Sequence, residues 1–189
     1  IFTEEDIKKE EKDDGLDAFL EDLTHFEGLI DVYRNDDDGK VYFLIKKGQL
    51  EKEFIYFAHI LDGIVEAGTW RGNYLDNGII KFTKYFDQIR IDRVNTAYVF
   101  DETNPLSKSK NANISNSLID SLKIQKTSET EDKFLIEVTS LLLSENLSKI
   151  TVAPYKEDPK ESFKIGSISK NKSSINAVLN YPENTDFEI

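Results

Sequence analysis

Cysteine and methionine are both missing from these 189 residues. The first absence excludes disulfides, thiolate metal sites and a cysteine nucleophile, and leaves the redox compartment undetermined. The second, with Ile1 at the start, leads us to expect an excised piece of a longer chain, one from which an export signal could have been removed. Long hydrophobic runs are lacking too: nothing approaches the ~18 apolar residues of a membrane-spanning helix. Basic residues are outnumbered 24 to 36, giving a net charge of −12. With no basic stripe to neutralise phosphates, nucleic acid is excluded as an expected partner and an anionic membrane is disfavoured.

What is present is enough for a sizeable core, with 39% apolar and 11% aromatic residues. The acidity is concentrated at one end, because Ile1 to Thr24 carries −7 of the −12. The segment Ile1 to Asp14 is too polar to bury much and reads as a disordered arm. A short helix follows over Asp17 to Leu23, with Phe19, Leu20 and Leu23 on one side. We divide the chain into an arm at 1–16, a β-rich domain at 17–147, and C-terminal strands at 148–189. That last part either shares the same core or begins the next domain, and it stops at DFEI, a strand-like pattern cut in mid-phrase.

The run EFIYFAHIL (Glu53 to Leu61) is almost unbroken in its apolarity and rich in aromatic and β-branched residues. Such a run predicts a central strand covered on both faces. Before it, Phe26–Arg34 and Lys40–Lys46 flank NDDDG, a hairpin signal in which Asp38-Gly39 supplies the positive φ of the turn. GQLEK makes a turn or a single helical turn. After it, Ile79–Tyr85 and Gln88–Val94 predict a second hairpin with one wet face, which Thr96–Phe100 could extend. Pro105 could open a helix, and Ile114, Leu118, Ile119 and Leu122 fall at helical spacing, predicting a helix near Ser115–Leu122. Lys133–Thr139 reads as a strand, SLLLSENL as a short helical turn, and FKIGSIS and INAVLNY as weak strands. The sum is an α+β fold, predominantly an antiparallel sheet of eight or nine strands with two or three short helices.

No catalytic pattern fits. His25 and His59 are not four apart and neither opens H-E-x-x-H, the spacing that puts two imidazoles on one helix face around zinc. His59 is expected to be a hydrogen-bonded core residue and His25 a surface one. Asp36, Asp37 and Asp38 before Gly39 suggest calcium, but an EF-hand register would make Arg34 its first ligand and Ile45 its last, so a solvated hairpin turn is the better reading. No P-loop, dinucleotide fingerprint or G-x-S-x-G is present, and the acidic pairs Asp101-Glu102 and Glu129/Glu131/Asp132 sit in polar, loop-like contexts. The feature left is a loop. Four of the nine glycines (Gly63, Gly68, Gly72, Gly78) and the only tryptophan fall within Gly63 to Gly78. Trp70, Arg71 and Tyr74 are the candidate partner-contact residues there; the plainer alternative is an Ω-type loop tucked on the sheet edge.

The order of phrases carries more than any one of them. FLEDLTHFEGLIDVYRNDDDGKVYFLI, KEFIYFAHILDGI, GIIKFTKYFDQIRI, VNTAYVFDETNPL, NSLIDSLKI and FLIEVTSLLLSE, spanning Asp17 to Ile189 with the tail INAVLNYPENTDFEI, resemble a region preceding the catalytic domain in a family of large bacterial zinc-dependent metalloproteases. In that family the region is catalogued as domains of unknown function. The resemblance implies a parent zincin of the gluzincin or metzincin type, with an H-E-x-x-H helix and a further downstream histidine. No position here matches that machinery, so no catalytic, cofactor-binding or metal residue carries over, and zinc is expected only in the parent's missing catalytic domain. It implies an accessory domain whose partner is its own downstream catalytic domain, in an extracytoplasmic setting that is periplasmic, outer-membrane-associated or secreted. The alternative is a stand-alone peptide- or glycan-binding module using the Gly63–Gly78 loop and Trp70.

Overall fold

The computed structural model describes residues 15–65, 68–98, 101, 103–105, 107, 114–150 and 166–189. The acidic arm to Asp14, the end of the Thr96–Phe100 run, most of the stretch after Pro105 and the start of FKIGSIS lie outside them. In chain order the elements are α1 (Leu16–Glu21), β1 (Thr24–Phe26), β2 (Asp31–Arg34), β3 (Val41–Lys46), β4 (Glu53–His59), β5 (Tyr74–Tyr85), β6 (Gln88–Arg93), β7 (Ser117–Thr127), β8 (Lys133–Glu137), α2 (Thr139–Leu142), β9 (Ala177–Tyr181) and β10 (Asn184–Glu188). The fold is mostly antiparallel β, as expected, with ten strands among the described residues where eight or nine were expected.

The first eight strands form one curled sheet in the order β1-β2-β3-β8-β7-β6-β5-β4, and β9 and β10 form a separate hairpin. The expected β2–β3 hairpin is present, with Gly39 at φ 71° in its turn. The second hairpin is present as β5–β6, turning at Phe86-Asp87. At the middle, β3 pairs with β8 from Tyr42↔Glu137 to Lys46↔Lys133. Both strands are apolar on both faces, and both faces are covered. Val41, Phe43, Ile45, Phe134 and Ile136 enter the main core. Tyr42, Leu44 and Leu135 lie on the other side under Phe19, Leu20 and Leu23 of the α1 region.

Two expectations are overturned. The run predicted as the central strand is β4, which lies at the edge of the sheet. Its burial alternates: Phe54, Tyr56 and Ala58 face inward, while Ile55 is 88% and Phe57 59% exposed. An unbroken apolar run shows that both faces are hydrophobic, not that this chain covers both. The fully covered strand is β3, whose run VYFLI is equally unbroken. His59, expected in the core, is instead exposed on the outer face of β4.

The helix predicted near Ser115–Leu122 is strand β7. One residue too many in β7 at Ile119 and another at Gln125 break its pairing with β6 and β8. A bulge shifts the alternation by one position. Ile119 and Leu122, three apart, therefore both pack on the core beside Ile124, and the strand imitates helical spacing. The same bulges bend β7 where it passes from β6 to β8. The sheet curls there, so that Phe82, Ile89 and Ile91 meet Phe43, Ile45 and Phe134 in one core.

The β9–β10 hairpin closes that core with Val178 and with Phe187, whose ring centroid lies 5.7 Å from that of Phe43. Asn180 fixes it in place: its Nδ2 donates to the carbonyls of Phe26 and Ile30, both at 2.7 Å, and its Oδ1 accepts from the Thr185 hydroxyl at 2.7 Å. Gly28 is required by this approach, since a Cβ there would sit 2.1 Å from Asn180 Oδ1 and 2.7 Å from the Tyr181 carbonyl. Asn180→Ala should therefore lower stability by about 2 kcal/mol, because it removes three part-buried hydrogen bonds and takes a donor from two carbonyls. Gly28→Ala should cost at least as much, through overpacking. Urea unfolding followed by circular dichroism checks both; midpoints equal to wild type would show that the hairpin is not docked this way.

Candidate functional site: an exposed apolar face at the sheet edge

The loop between β4 and β5 is a built structure. Ile60 and Asn73 close its neck, the Ile60 amide donating to the Asn73 carbonyl at 2.8 Å and the Gly72 amide to the Ile60 carbonyl at 2.7 Å. Within it, the buried Thr69 hydroxyl accepts from the Ile64 amide and donates to the Ile64 carbonyl, each at 3.0 Å. Gly63 lies so close to Thr69 that a Cβ would fall 2.7 Å from its carbonyl carbon, and Gly68 and Gly72 take φ values of 72° and 78°. Gly78 stands apart from this frame, inside β5, opposite Tyr56 and beside the Arg93 side chain. The plainer reading of this stretch, an Ω-type loop at the sheet edge, therefore matches its architecture.

Such a frame turns apolar side chains outward. Trp70 is 56% exposed, and the Arg71 side chain, 81% exposed, makes only a loose ion pair with Asp62 at 3.8 Å. Tyr74 belongs to the first position of β5, and its ring centroid is 5.3 Å from that of Phe57, which lies 5.8 Å from His59. The structure thus joins Tyr74 to β4 and leaves Trp70 and Arg71 on the loop, with no ring contact for Trp70 among the described residues. Sequence reasoning missed Ile55, Phe57 and His59 by placing them in a core. The signal was available in their i, i+2, i+4 spacing, which puts them on one side of a strand. Ile64 and Val65 on the following loop are exposed as well, so this end of the molecule presents several uncovered apolar side chains.

On the opposite, inner side of β4, Phe54 packs against Phe82 in the core, and the groups around Tyr56 are polar and self-satisfied. The Tyr56 hydroxyl donates to the Leu147 carbonyl, and its pKa is pushed up by burial and then by the nearby Asp76 carboxylate, so it remains a donor. Arg93 binds Asp76 at 2.5 Å, which holds the guanidinium above its ordinary pKa. Glu145, bonded to Lys149 at 3.0 Å and to the Ile168 amide, is held below the usual carboxylate range. Asp76, Arg93, Glu145 and Lys149 line an open depression of about 430 Å³. Acid–base catalysis near neutrality needs pKa values moved toward the working pH. Here Arg93 and Glu145 move away from it, each locked to an opposite charge. Asp36 and Asp38 are likewise tied into the β2–β3 turn, by Thr24 and Arg34 and by Lys40. Among the described residues no three His, Asp or Glu side chains converge as a metal site, and no helix is long and apolar enough to cross a membrane.

Residues 72–189 match a protein-family model described as a domain of unknown function, DUF5117. The chain belongs to this family. No curated protein and no solved structure matches it. The DUF5117 match begins inside the β4–β5 loop and omits α1 and β1 to β4. Yet β3 is the partner of β8, and Val41, Phe43 and Ile45 fill the same core as Phe82 and Ile89. The matched segment is therefore only part of a folding unit. A fragment of residues 72–189 should show no cooperative thermal transition, whereas the 189-residue chain should unfold in one. A sharp transition and dispersed amide resonances from the fragment would show that β3 is dispensable.

Proposed function

We propose that this DUF5117 chain is a non-catalytic docking domain, which uses the exposed face of β4 and the following loop to hold a protein partner. The observation that supports it best is the outer face of β4. Ile55 and Phe57 stand in water beside Tyr74, and leaving one large apolar side chain uncovered forgoes roughly 1.5–3 kcal/mol of burial. The resemblance supplies the partner's identity in this reading: the downstream zinc-peptidase domain of a bacterial extracytoplasmic metalloprotease, with the present chain as its accessory region. Zinc would then be held by that domain alone.

A second reading is favoured by Trp70. A half-exposed tryptophan on a hydrogen-bonded loop, next to a loosely paired Arg71, suits stacking against a peptide or glycan in a stand-alone binding module. One titration separates the two. The 189-residue chain is added to the parent's catalytic region produced without it, with peptidase activity and Trp70 emission followed together. Docking predicts saturable binding and a change in activity, lost in Phe57→Ser with unfolding unchanged within about 0.5 kcal/mol, since the site is exposed. No binding and no change in activity would remove the docking reading. Ligand-induced emission changes from oligosaccharides or peptides, lost in Trp70→Ala, would then support the second.

A further inference from the structure

The side chains of β4 form a face, but its backbone forms an edge, and the edge has its own pattern. Ile55 stands opposite Ile79 in the β4–β5 ladder, and the Ile79 carbonyl accepts from the Val94 amide, so the main-chain groups of Ile79 turn toward β6. The Ile55–Ile79 pair is thus a non-hydrogen-bonded one. It follows that the amide and carbonyl of Ile55 point away from β5, to the open side. Ile60 agrees, because its amide and carbonyl are both engaged with Asn73 and Gly72 on the β5 side. Strand alternation then gives Glu53, Ile55, Phe57 and His59 main-chain groups directed outward, and no described strand lies beyond them.

Natural sheets blunt such edges with short strands, lysine, proline or bulges. The other end of this sheet obeys: β1 is three residues long. In contrast β4 has seven residues, EFIYFAH, with neither lysine nor proline. Its one irregularity, between Ala58 and His59, inserts the extra residue on β5, so the outer edge stays straight.

We infer that β4 pairs antiparallel with β4 of a second copy, about a two-fold axis at Tyr56. In that register the outward residues match in both apolarity and charge. Ile55 falls opposite the Phe57 of the second copy, an apolar cross-strand pair. Glu53 falls opposite His59, placing a carboxylate against an imidazole at both ends of the ladder. Shifting the register by two residues would set Glu53 against Phe57 in one direction, or Ile55 against His59 in the other, and either loses the match of Glu53 with His59. Cross-strand pairs contribute about 0.2–1 kcal/mol each, and the symmetry doubles every one of them. This goes beyond the docking reading: it uses the strand edge and leaves the Ile55–Phe57–Tyr74 face open, doubled in width across the two-fold axis.

The test needs only the 189-residue chain. Sedimentation velocity over a concentration series should show a reversible monomer–dimer equilibrium. Glu53→Lys sets a cation against His59 at both ends and should weaken dimerisation about tenfold, and E53K/H59E should restore it. The register is read independently by cysteine, which the chain lacks. Directly opposed positions lie about 5.5 Å apart between Cα atoms, within disulfide reach, and positions offset by two residues do not. Under mild oxidation a mixture of I55C and F57C chains should therefore cross-link, while either alone should not. A chain that stays monomeric at every concentration overturns the inference, and so does a dimer indifferent to Glu53→Lys or a mixture that fails to cross-link. In the monomeric case an extended strand from another protein, or from elsewhere in the parent, is the occupant to seek.

Discussion

The antiparallel pairing of β3 with β8 is the contact on which the rest of the sheet hangs. On one side of it β1 and β2 continue the ladder, and on the other β7, β6, β5 and β4 do. Val41, Ile45, Leu135 and Ile136 show no exposed surface at all. Fully burying a side chain of this size stabilises by roughly 1.5–3 kcal/mol, so this short pairing contributes as much as any part of the fold. It also joins residues far apart in the chain. The bulges in β7 matter because they let the far half of the sheet curl back over this pair, and α1 covers the face that the curl leaves open.

Much of this was legible in the residues and some was not, for definable reasons. Both hairpins could be read because their turns carry local chemistry: Asp38-Gly39 in one, a two-residue break at Phe86-Asp87 in the other. The short α1 and the turn at Lys47–Gln49 were likewise local. The position of β4 was not local. VYFLI and FIYFA are equally apolar, and which of them is covered on both faces depends on β8, a strand that arrives much later in sequence. For β7 the error came from the bulges, which change the phase of the apolar pattern without changing its composition. The candidate site was half legible. Trp70, Arg71 and Tyr74 are exposed, but Tyr74 belongs to a ring cluster with Phe57 and His59, whose apolar surroundings in sequence suggested an interior.

The distribution of polarity separates the two sides of the β4 region. The inner side holds ion pairs that satisfy one another: Asp76 with Arg93 joins β5 to β6, Glu145 with Lys149 lies within the segment around Leu147, and the Tyr56 hydroxyl ties β4 to that segment. The outer side has apolar rings with no covering layer. Around β4, then, the polar groups of the inner side are paired with one another, and the rings of the outer side are uncovered.

The long reach between β3 and β8 has a consequence for biosynthesis. As the chain leaves the ribosome, Val41–Lys46 emerges early and can pair only with β2, while its second neighbour, Lys133–Glu137, is still unmade. Pairings of such wide sequence separation form late and slowly. Until then both VYFLI and FIYFA are open apolar strands, the kind of nascent segment that associates wrongly when crowded. Maturation of this domain is thus timed by the synthesis of β8, and a holding chaperone acting on the N-terminal half of the chain would find its natural target in those two runs.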